Sequence, residues 1–480
     1  MNYDDKLLGL FINGQWIRKT DKCENVVNPA TGKTLAQLPH AGPTELQQVV
    51  ASAKAGFDVW KKTPAETRAK IMQKAVNLLR ERAKEIGTIM TMEQGKPLKE
   101  AIAEVNRCAN IIEWDLNQAL RIYGQVIAGK PGYQRLTIRQ PIGPVAAFTP
   151  WNFPASVLAR KVGGALAAGC SLVLKAAEET PGTACAVAQC FQDANLPAGV
   201  LNLVFGVPAE ISSYLIAHDE IRAVTFTGSV PVGKLLAALA GTHMKPVVME
   251  LGGSSPVIVC NDTDARLAAR IIAAAKFRNA GQICTAPARF IVQGSVYEEF
   301  IDEFAKYASS LKVGDGLLET TQMGPLANER RVRAMVNLVE DAIKGGASLR
   351  SGGKRIGMEG NFFQPTVIAD VPLNADLMTQ ETFGPIAPIV KFNTLDEAIS
   401  IANGTPFGLA GYAFTESSAS AHRLYEEVDV GILSINHGEG SVPEAPFGGV
   451  RNSGHGREGG EESLYCYTTT KFISHRGTIN

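Results

Sequence analysis

Between residues 145 and 226 the chain repeats one pattern, a short apolar run followed by a stretch with helical spacing. The runs are Val145-Ala146-Ala147-Phe148, Leu172-Val173-Leu174, Leu201-Asn202-Leu203-Val204 and Val224-Thr225-Phe226. Residues 156–168 and 182–194 read as helices between them. Such short apolar runs suit strands covered on both faces. Parallel neighbours cannot be joined by a tight hairpin, so the alternation predicts a parallel sheet with crossover helices.

A second set follows residue 284, with strands expected at 289–292, 388–392, 410–414 and 431–435 and helices at 296–311 and 328–345. It predicts a second α/β domain. The first third reads as helical after a short strand pair, with helices over 44–60 and 67–93 behind Pro43 and Pro64. Residues 133–140 and 465–474 differ from both sets. They alternate apolar and polar residues, as half-exposed strands do, and are alike enough to pair in one small sheet.

A chain of 480 residues has room for two or more such units. Its 47 basic and 47 acidic residues balance, which gives no support to a nucleic-acid partner. No apolar run approaches a bilayer span, and the charged start Met1-Asn2-Tyr3-Asp4-Asp5-Lys6 has no long apolar segment, so neither a membrane protein nor a secretory signal is expected. The eight cysteines form no CxxC pair and no metal spacing, so no metal is expected. Their scatter fits free thiols in a reducing cytoplasm.

The chemistry concentrates in two segments. Phe277-Arg278-Asn279-Ala280-Gly281-Gln282-Ile283-Cys284 places a cysteine after a polar, glycine-containing turn, and Met249-Glu250-Leu251-Gly252-Gly253 places a glutamate between an apolar run and a glycine pair. A thiolate nucleophile plus a carboxylate base is enough to make and hydrolyse a thioester. Val224-Thr225-Phe226-Thr227-Gly228-Ser229 reads as strand, tight turn and helix start, where backbone can approach a phosphate, although there is no GxGxxG. Asn152, in Pro150-Trp151-Asn152-Phe153-Pro154, has its local backbone restrained by prolines and can offer an amide to a developing oxyanion.

Taken together these segments resemble the active-site signatures of the NAD(P)-dependent aldehyde dehydrogenase superfamily, with matching stretches from Phe11-Ile12-Asn13-Gly14 to Pro446-Phe447-Gly448-Gly449. The resemblance implies an α/β fold with three parts. These are a Rossmann-like cofactor domain (1–122 and 142–251, with 450–463), a catalytic domain (252–449) and a small β oligomerisation arm (123–141 and 464–480) that makes a homodimer or homotetramer. It implies Cys284 as nucleophile, Glu250 as base and Asn152, with the Cys284 N–H, as oxyanion hole. It assigns Trp151, Lys175, Glu178, Gly228, Ser229, Leu251, Glu381 and Phe383 to the cofactor. Lys175 and Glu178 would hold the adenosine ribose, and Glu381 and Phe383 the nicotinamide ribose and ring. A carboxylate at Glu178 repels a 2′-phosphate, so NAD is expected over NADP, with NADP still possible.

Arg160 and Arg278 lie close in sequence to Asn152 and Cys284, and two guanidinium groups suit a carboxylate. They match arginines of succinate-semialdehyde dehydrogenases, with Ser441 as a hydroxyl contact, although Pro443 departs from the usual pattern of that loop. The expected reaction is NAD-dependent oxidation of an ω-carboxylated semialdehyde, succinate semialdehyde first. The chain also resembles 2-oxoglutarate-semialdehyde dehydrogenases, and glutarate semialdehyde or a general aliphatic aldehyde are further alternatives. Two rivals are weighed against this, a non-catalytic role like that of enzyme-derived lens crystallins and a CoA-acylating enzyme. The intact Cys284, Glu250 and Asn152 argue against the first, and Glu250 against the second. Ala286 stands where some succinate-semialdehyde enzymes carry a second, redox-active cysteine, so no such switch is expected.

Overall fold

The computed structural model describes residue 3 and residues 5–476. The end of the expected 464–480 segment, and most of the charged start, lie outside the described residues.

The short apolar runs are strands. An eight-stranded sheet runs, in spatial order, Gly454–His455, Val247–Leu251, Ala223–Gly228, Val145–Phe148, Leu172–Lys175, Leu201–Val204, Leu10–Ile12 and Gln15–Ile17. The five strands from Val247–Leu251 to Leu201–Val204 are parallel. Val145–Phe148, Leu172–Lys175 and Leu201–Val204 are buried throughout, as helices on both faces require. Val145–Phe148 has the next strand in the chain, Leu172–Lys175, on one side and Ala223–Gly228 on the other. The winding direction reverses there, which opens a crevice at the carboxyl ends of the strands. One apolar core spans Leu8 to Leu251 and takes in Leu464 and Tyr467.

A seven-stranded sheet follows the order Ser348–Ser351, Thr366–Ala369, Ile386–Phe392, Pro287–Gln293, Ser255–Val259, Ala410–Phe414 and Ile432–Ile435. It is parallel except for its first edge strand and encloses a second core from Val257 to Val428. The alternating segments pair as their character suggested. Thr468–Arg476 lies antiparallel to Tyr133–Pro141 in unbroken register from Thr468↔Pro141 to Arg476↔Tyr133, and Gln125–Ile127 completes a three-stranded sheet.

Two details differ from the sequence reading. The helix expected over 67–93 is two, Ala65–Glu81 and Ala83–Gln94, because Arg82 leaves helical geometry with ψ 11°. The apolar stripe runs on across the kink and hides it. The single strand pair at the start is two, since Cys23–Val27 pairs with Thr34–Pro39; Cys23–Val27 is almost wholly exposed and carries little apolar signal.

One buried ion pair fixes the crevice wall. Lys96 and Glu104, with side chains 1% and 2% exposed, are in direct contact. Glu104 Oε1 accepts from the Ala155 and Ser156 N–H groups (3.0 and 3.2 Å), the unsatisfied first turn of helix Ser156–Ala168. Lys96 Nζ donates to the Asn152 carbonyl (2.8 Å) and sits 3.9 Å from the Phe153 ring centroid. Replacing Lys96→Met strands the Glu104 charge and should cost about 3–5 kcal/mol of stability. The pair of changes Lys96→Met and Glu104→Leu should recover most of it. Denaturant unfolding of the three variants checks this, and an additive double variant would contradict it.

Candidate active site

The carboxyl ends of four parallel strands carry the crevice residues. After Val145–Phe148 come Trp151 and Asn152; Leu172–Lys175 ends in Lys175, with Glu178 three residues on. Ala223–Gly228 ends in Gly228 and Ser229, and Val247–Leu251 supplies Glu250 and Leu251. Register places Thr227 beside Glu250 and Gly228 beside Leu251, so the glycine turn and the glutamate are neighbours across one ladder.

The turn suits a dinucleotide phosphate. Ser229 caps the 13-residue helix Val230–Thr242 without a side-chain hydrogen bond, leaving first-turn N–H groups for a ligand. A Cβ on Gly233 would come 2.3 Å from Leu251 Cδ2, so the helix start lies directly on Leu251. Lys175 Nζ lies 2.7 Å from the Glu178 carboxylate, whose Oε1 also accepts from the Gly206 N–H (3.2 Å). The carboxylate is held at the crevice edge with lone pairs to spare for ribose hydroxyls.

Glu381 and Phe383 enter from the other sheet. A Cβ on Gly252 would meet Glu381 Oε2 at 2.3 Å, and the Gly253 N–H donates to Glu381 Oε1 at 3.2 Å. The glycine pair after Glu250 is therefore the seat of Glu381. Burial pushes the Glu381 carboxyl up to about 7, opposed by the Gly253 N–H and Arg331. Phe383 has a left-handed backbone, φ 43°, held by Arg331 donating to the Thr382 and Phe383 carbonyls (2.6 and 2.9 Å). Its ring meets Trp151 edge-on at 5.7 Å.

Cys284 follows an unusual backbone. Asn279, Ala280 and Gly281 are all left-handed, with φ 46°, 51° and 72°. The conformation is unfavourable for the two residues with a Cβ, and hydrogen bonds hold it. The Asn279 N–H donates to Glu100 (3.0 Å), Gln282 Nε2 to the Asn279 carbonyl (3.0 Å), and the Ala327 N–H to Gln282 Oε1 (2.9 Å). Gly281 cannot be larger, since a Cβ would lie 2.2 Å from the Gly384 carbonyl oxygen.

Asn152 is tied to this turn. Its Nδ2 donates to the Gln282 carbonyl (3.1 Å), and its own carbonyl accepts from Asn279 Nδ2 (3.0 Å). One amide N–H remains available, and no backbone partner takes the Cys284 N–H among the described residues. Burial pushes the Cys284 thiol up to about 12, helped by the negative charges of Glu381 and Glu250 and opposed by Arg160. Glu250 is 2% exposed with neither carboxylate oxygen partnered. Burial and then the neighbouring Glu458 hold its carboxyl well above the usual range, against the pull of Lys161 and Arg160.

A tunnel leads from Cys284 between Arg160, Arg278, Tyr412, Ser441 and Phe447. Arg160 is buried against the Phe447 ring (4.3 Å), and its Nη2 donates to Ser441 Oγ (2.7 Å). Arg278 caps helix Ala265–Phe277 and is exposed toward the tunnel. Cys284 and the two arginines thus line one cavity. Asn152 is tied to the turn before Cys284, and Glu381 and Glu250 are near enough for their charges to act on the thiol, while Lys175 and Glu178 follow a different strand of the crevice. Sequence reasoning missed Arg107, on helix Leu98–Gln118, which lines the same tunnel, and the buried Lys161–Glu458 pair behind Glu250. Neither lies in a motif, and only the packing of distant segments brings them here.

A dinucleotide crevice joined to a half-buried thiol is the arrangement of an oxidoreductase that works on a carbonyl carbon. The sequence profile of the aldehyde dehydrogenase family matches residues 16–473, and the chain belongs to that family. It is therefore an NAD(P)-dependent oxidoreductase of aldehydes. It is 45% identical to a putative 4-(hydroxymethyl)benzenesulfonate dehydrogenase of Comamonas testosteroni, over 97% of this chain and 98% of the relative. It is 43% identical to the mitochondrial succinate-semialdehyde dehydrogenase of Oryza sativa subsp. japonica, over 98% and 89%. The crystal structure of an NADP-dependent enzyme of E. coli superposes with a TM-score of 0.97 at 39% identity, covering 99% of this chain and 100% of the other. No helix among the described residues is long and apolar enough to cross a membrane, and no cluster of three or more metal-ligating side chains occurs among them.

A thiol or a carboxyl can serve as nucleophile or base only without its proton, and burial holds the protons of Cys284 and Glu250 on. Both folded-state shifts are upward, so activity should rise with pH and still be rising at about pH 9, since the Cys284 thiol, pushed up to about 12, is far from fully ionised there. A kcat/KM profile already flat at pH 6 would contradict this. Glu250→Gln cannot accept a proton from water, so it should release about one NADH per site in a burst and then stall. Stopped-flow absorbance reads the burst, and undiminished steady-state turnover would remove Glu250 from this role.

Proposed function

We propose that the protein oxidises an aldehyde with an anionic far end, an ω-carboxylated semialdehyde first, to the corresponding carboxylate, using Cys284 as nucleophile, with succinate semialdehyde as the reference substrate and NAD as the cofactor. Arg160 carries this reading. It is 7% exposed, and its Nη1 is buried without a partner. Glu104 and Glu458 are committed to Lys96 and Lys161, and the two other acids that act on Arg160, Glu250 and Asp115, are held toward their neutral forms by burial. A buried guanidinium without a counter-charge is costly, and a substrate carboxylate would supply one. Arg278, across the same cavity, would complete the clamp, with Ser441 Oγ beside it.

The remaining residues fit the chemistry in turn. Once its proton has passed to solvent, Cys284 Sγ adds to the aldehyde carbon as the thiolate, and the free Asn152 N–H and the Cys284 N–H take up the alkoxide charge. Trp151, Lys175, Glu178, Gly228, Ser229, Leu251, Glu381 and Phe383 would hold NAD(P), which when bound would supply the hydride acceptor. Once hydride has left, Cys284 carries a thioester. Glu250 takes a proton from water, the resulting hydroxide attacks the thioester carbon, and the carbon–sulfur bond breaks to release the carboxylate. We further propose the division into cofactor domain (1–122, 142–251 and 450–463), catalytic domain (252–449) and arm. Val126, Tyr133 and Phe472 are exposed apolar residues on the three-stranded arm and support homo-oligomer formation through it. All eight cysteines are free thiols, which supports a reducing, cytoplasmic setting.

Replacing Arg160→Ala or Arg278→Ala should lower the ratio of kcat/KM for succinate semialdehyde over butanal by about 30-fold to about 1000-fold, or about 2–4 kcal/mol, since butanal has nothing to offer a guanidinium. An unchanged ratio would contradict the clamp. NAD should exceed NADP at least about tenfold in kcat/KM because the Glu178 carboxylate faces the 2′-position. Equal use of both would show that Lys175 cancels that repulsion.

A further inference from the structure

The tunnel contains a third guanidinium. Arg107 lines the same cavity as Cys284, Arg160 and Arg278. Its Nη2 donates to the Ser441 carbonyl, while Arg160 Nη2 donates to the hydroxyl of that same residue. Ser441 therefore lies between two guanidinium groups, and the pair is fixed by geometry. Burial, then Arg160 and Arg278, pull the proton affinity of Arg107 down, as uncompensated like charges do. Glu104 and Glu439 act on it from further off, and Glu104 is committed to Lys96. The tunnel thus holds three positive groups, one of them with a buried, unpartnered Nη1.

A carboxylate presents two oxygens, and two guanidinium forks satisfy them. Arg107 would then face the substrate with N–H groups unmatched, beyond the one given to Ser441. We propose that Arg107 is a specificity-determining residue that binds a third oxygen on the anionic end of the substrate. This rests on the anion-clamp reading of Arg160 and deepens it. The substrate class becomes aldehydes whose far end offers three oxygen acceptors, whether a sulfonate or a carboxylate with an adjacent keto oxygen. The guanidinium plane makes the contact directional, so a lysine should replace its charge but not its fork.

The test measures kcat and KM of the NAD-loaded enzyme for four aldehydes. These are 3-oxopropane-1-sulfonate, 2-oxoglutarate semialdehyde, succinate semialdehyde and butanal. The proteins are the wild type, Arg107→Met, Arg107→Lys and Arg160→Met. The wild type should use at least one three-oxygen aldehyde as well as succinate semialdehyde or better. Arg107→Met should lower the kcat/KM ratio of that aldehyde over succinate semialdehyde by at least about 30-fold, chiefly through KM. Arg107→Lys should recover only part of it. Whichever three-oxygen aldehyde loses more identifies the source of the third oxygen. An Arg107→Met variant that loses all anionic aldehydes in equal proportion would overturn the proposal and leave Arg107 as a support for the Ser441 loop. So would one that changes no ratio. If the wild type used butanal as well as the anionic aldehydes, the clamp itself would fall. Anion preference that depends on Arg160 but not on Arg107 would remove only this inference.

Discussion

The two sheets meet at a hydrogen-bonded clasp. Asn152, on the eight-stranded side, donates to the Gln282 carbonyl and accepts from Asn279, on the seven-stranded side. Lys96 donates to the same Asn152 carbonyl and carries the Glu104 charge that holds helix Ser156–Ala168. The left-handed run Asn279-Ala280-Gly281 is unfavourable by itself and is maintained by these contacts and by the close approach of Gly384. Amide and thiol therefore cannot be positioned independently. A shift on either side moves both, which is why small displacements far from a reacting atom can be costly.

Around the clasp the protein keeps ionisable groups dry and unevenly paired. Lys161 and Glu458 neutralise each other behind Glu250, while Glu250 itself has no hydrogen-bond partner and holds its proton tightly. Cys284 is likewise a poor acid in its resting surroundings. On the other side of the same cavity Arg107, Arg160 and Arg278 make no direct ion pair among the described residues, although Glu100, Glu104, Glu439 and Asp115 act on them through space. On the proposed reading, an anionic substrate brings the negative charge that these guanidinium groups lack in direct contact. Binding and orientation of the aldehyde follow from one electrostatic asymmetry.

Much of the fold was legible because its central strands are buried on both faces and so read as short continuous apolar runs. Val145–Phe148, Leu201–Val204 and Ala410–Phe414 coincide with such runs. The three-stranded sheet was legible for the opposite reason, since Tyr133–Pro141 and Thr468–Arg476 have no buried face and mix apolar with polar residues along the strand. The kink at Arg82 was not, because the apolar stripe continues through it, nor was the exposed pair Cys23–Val27 and Thr34–Pro39. Within the site, residues next to turns, such as Asn152, Gly228, Glu250 and Cys284, stand out locally. Arg107 and Glu458 do not, because an arginine in a helix and a glutamate between Arg457 and Gly459 become tunnel residues only through the packing of remote segments.

The central claim is that a covalent acyl group forms on Cys284. Rapid quenching of the wild-type enzyme during turnover of succinate semialdehyde with NAD, followed by peptide mass spectrometry, tests it most directly. The account predicts a succinyl thioester on the peptide containing Cys284, appearing with NADH and decaying as succinate is released. An absent adduct under conditions where NADH forms, or an adduct on Cys466 or another thiol, would contradict it.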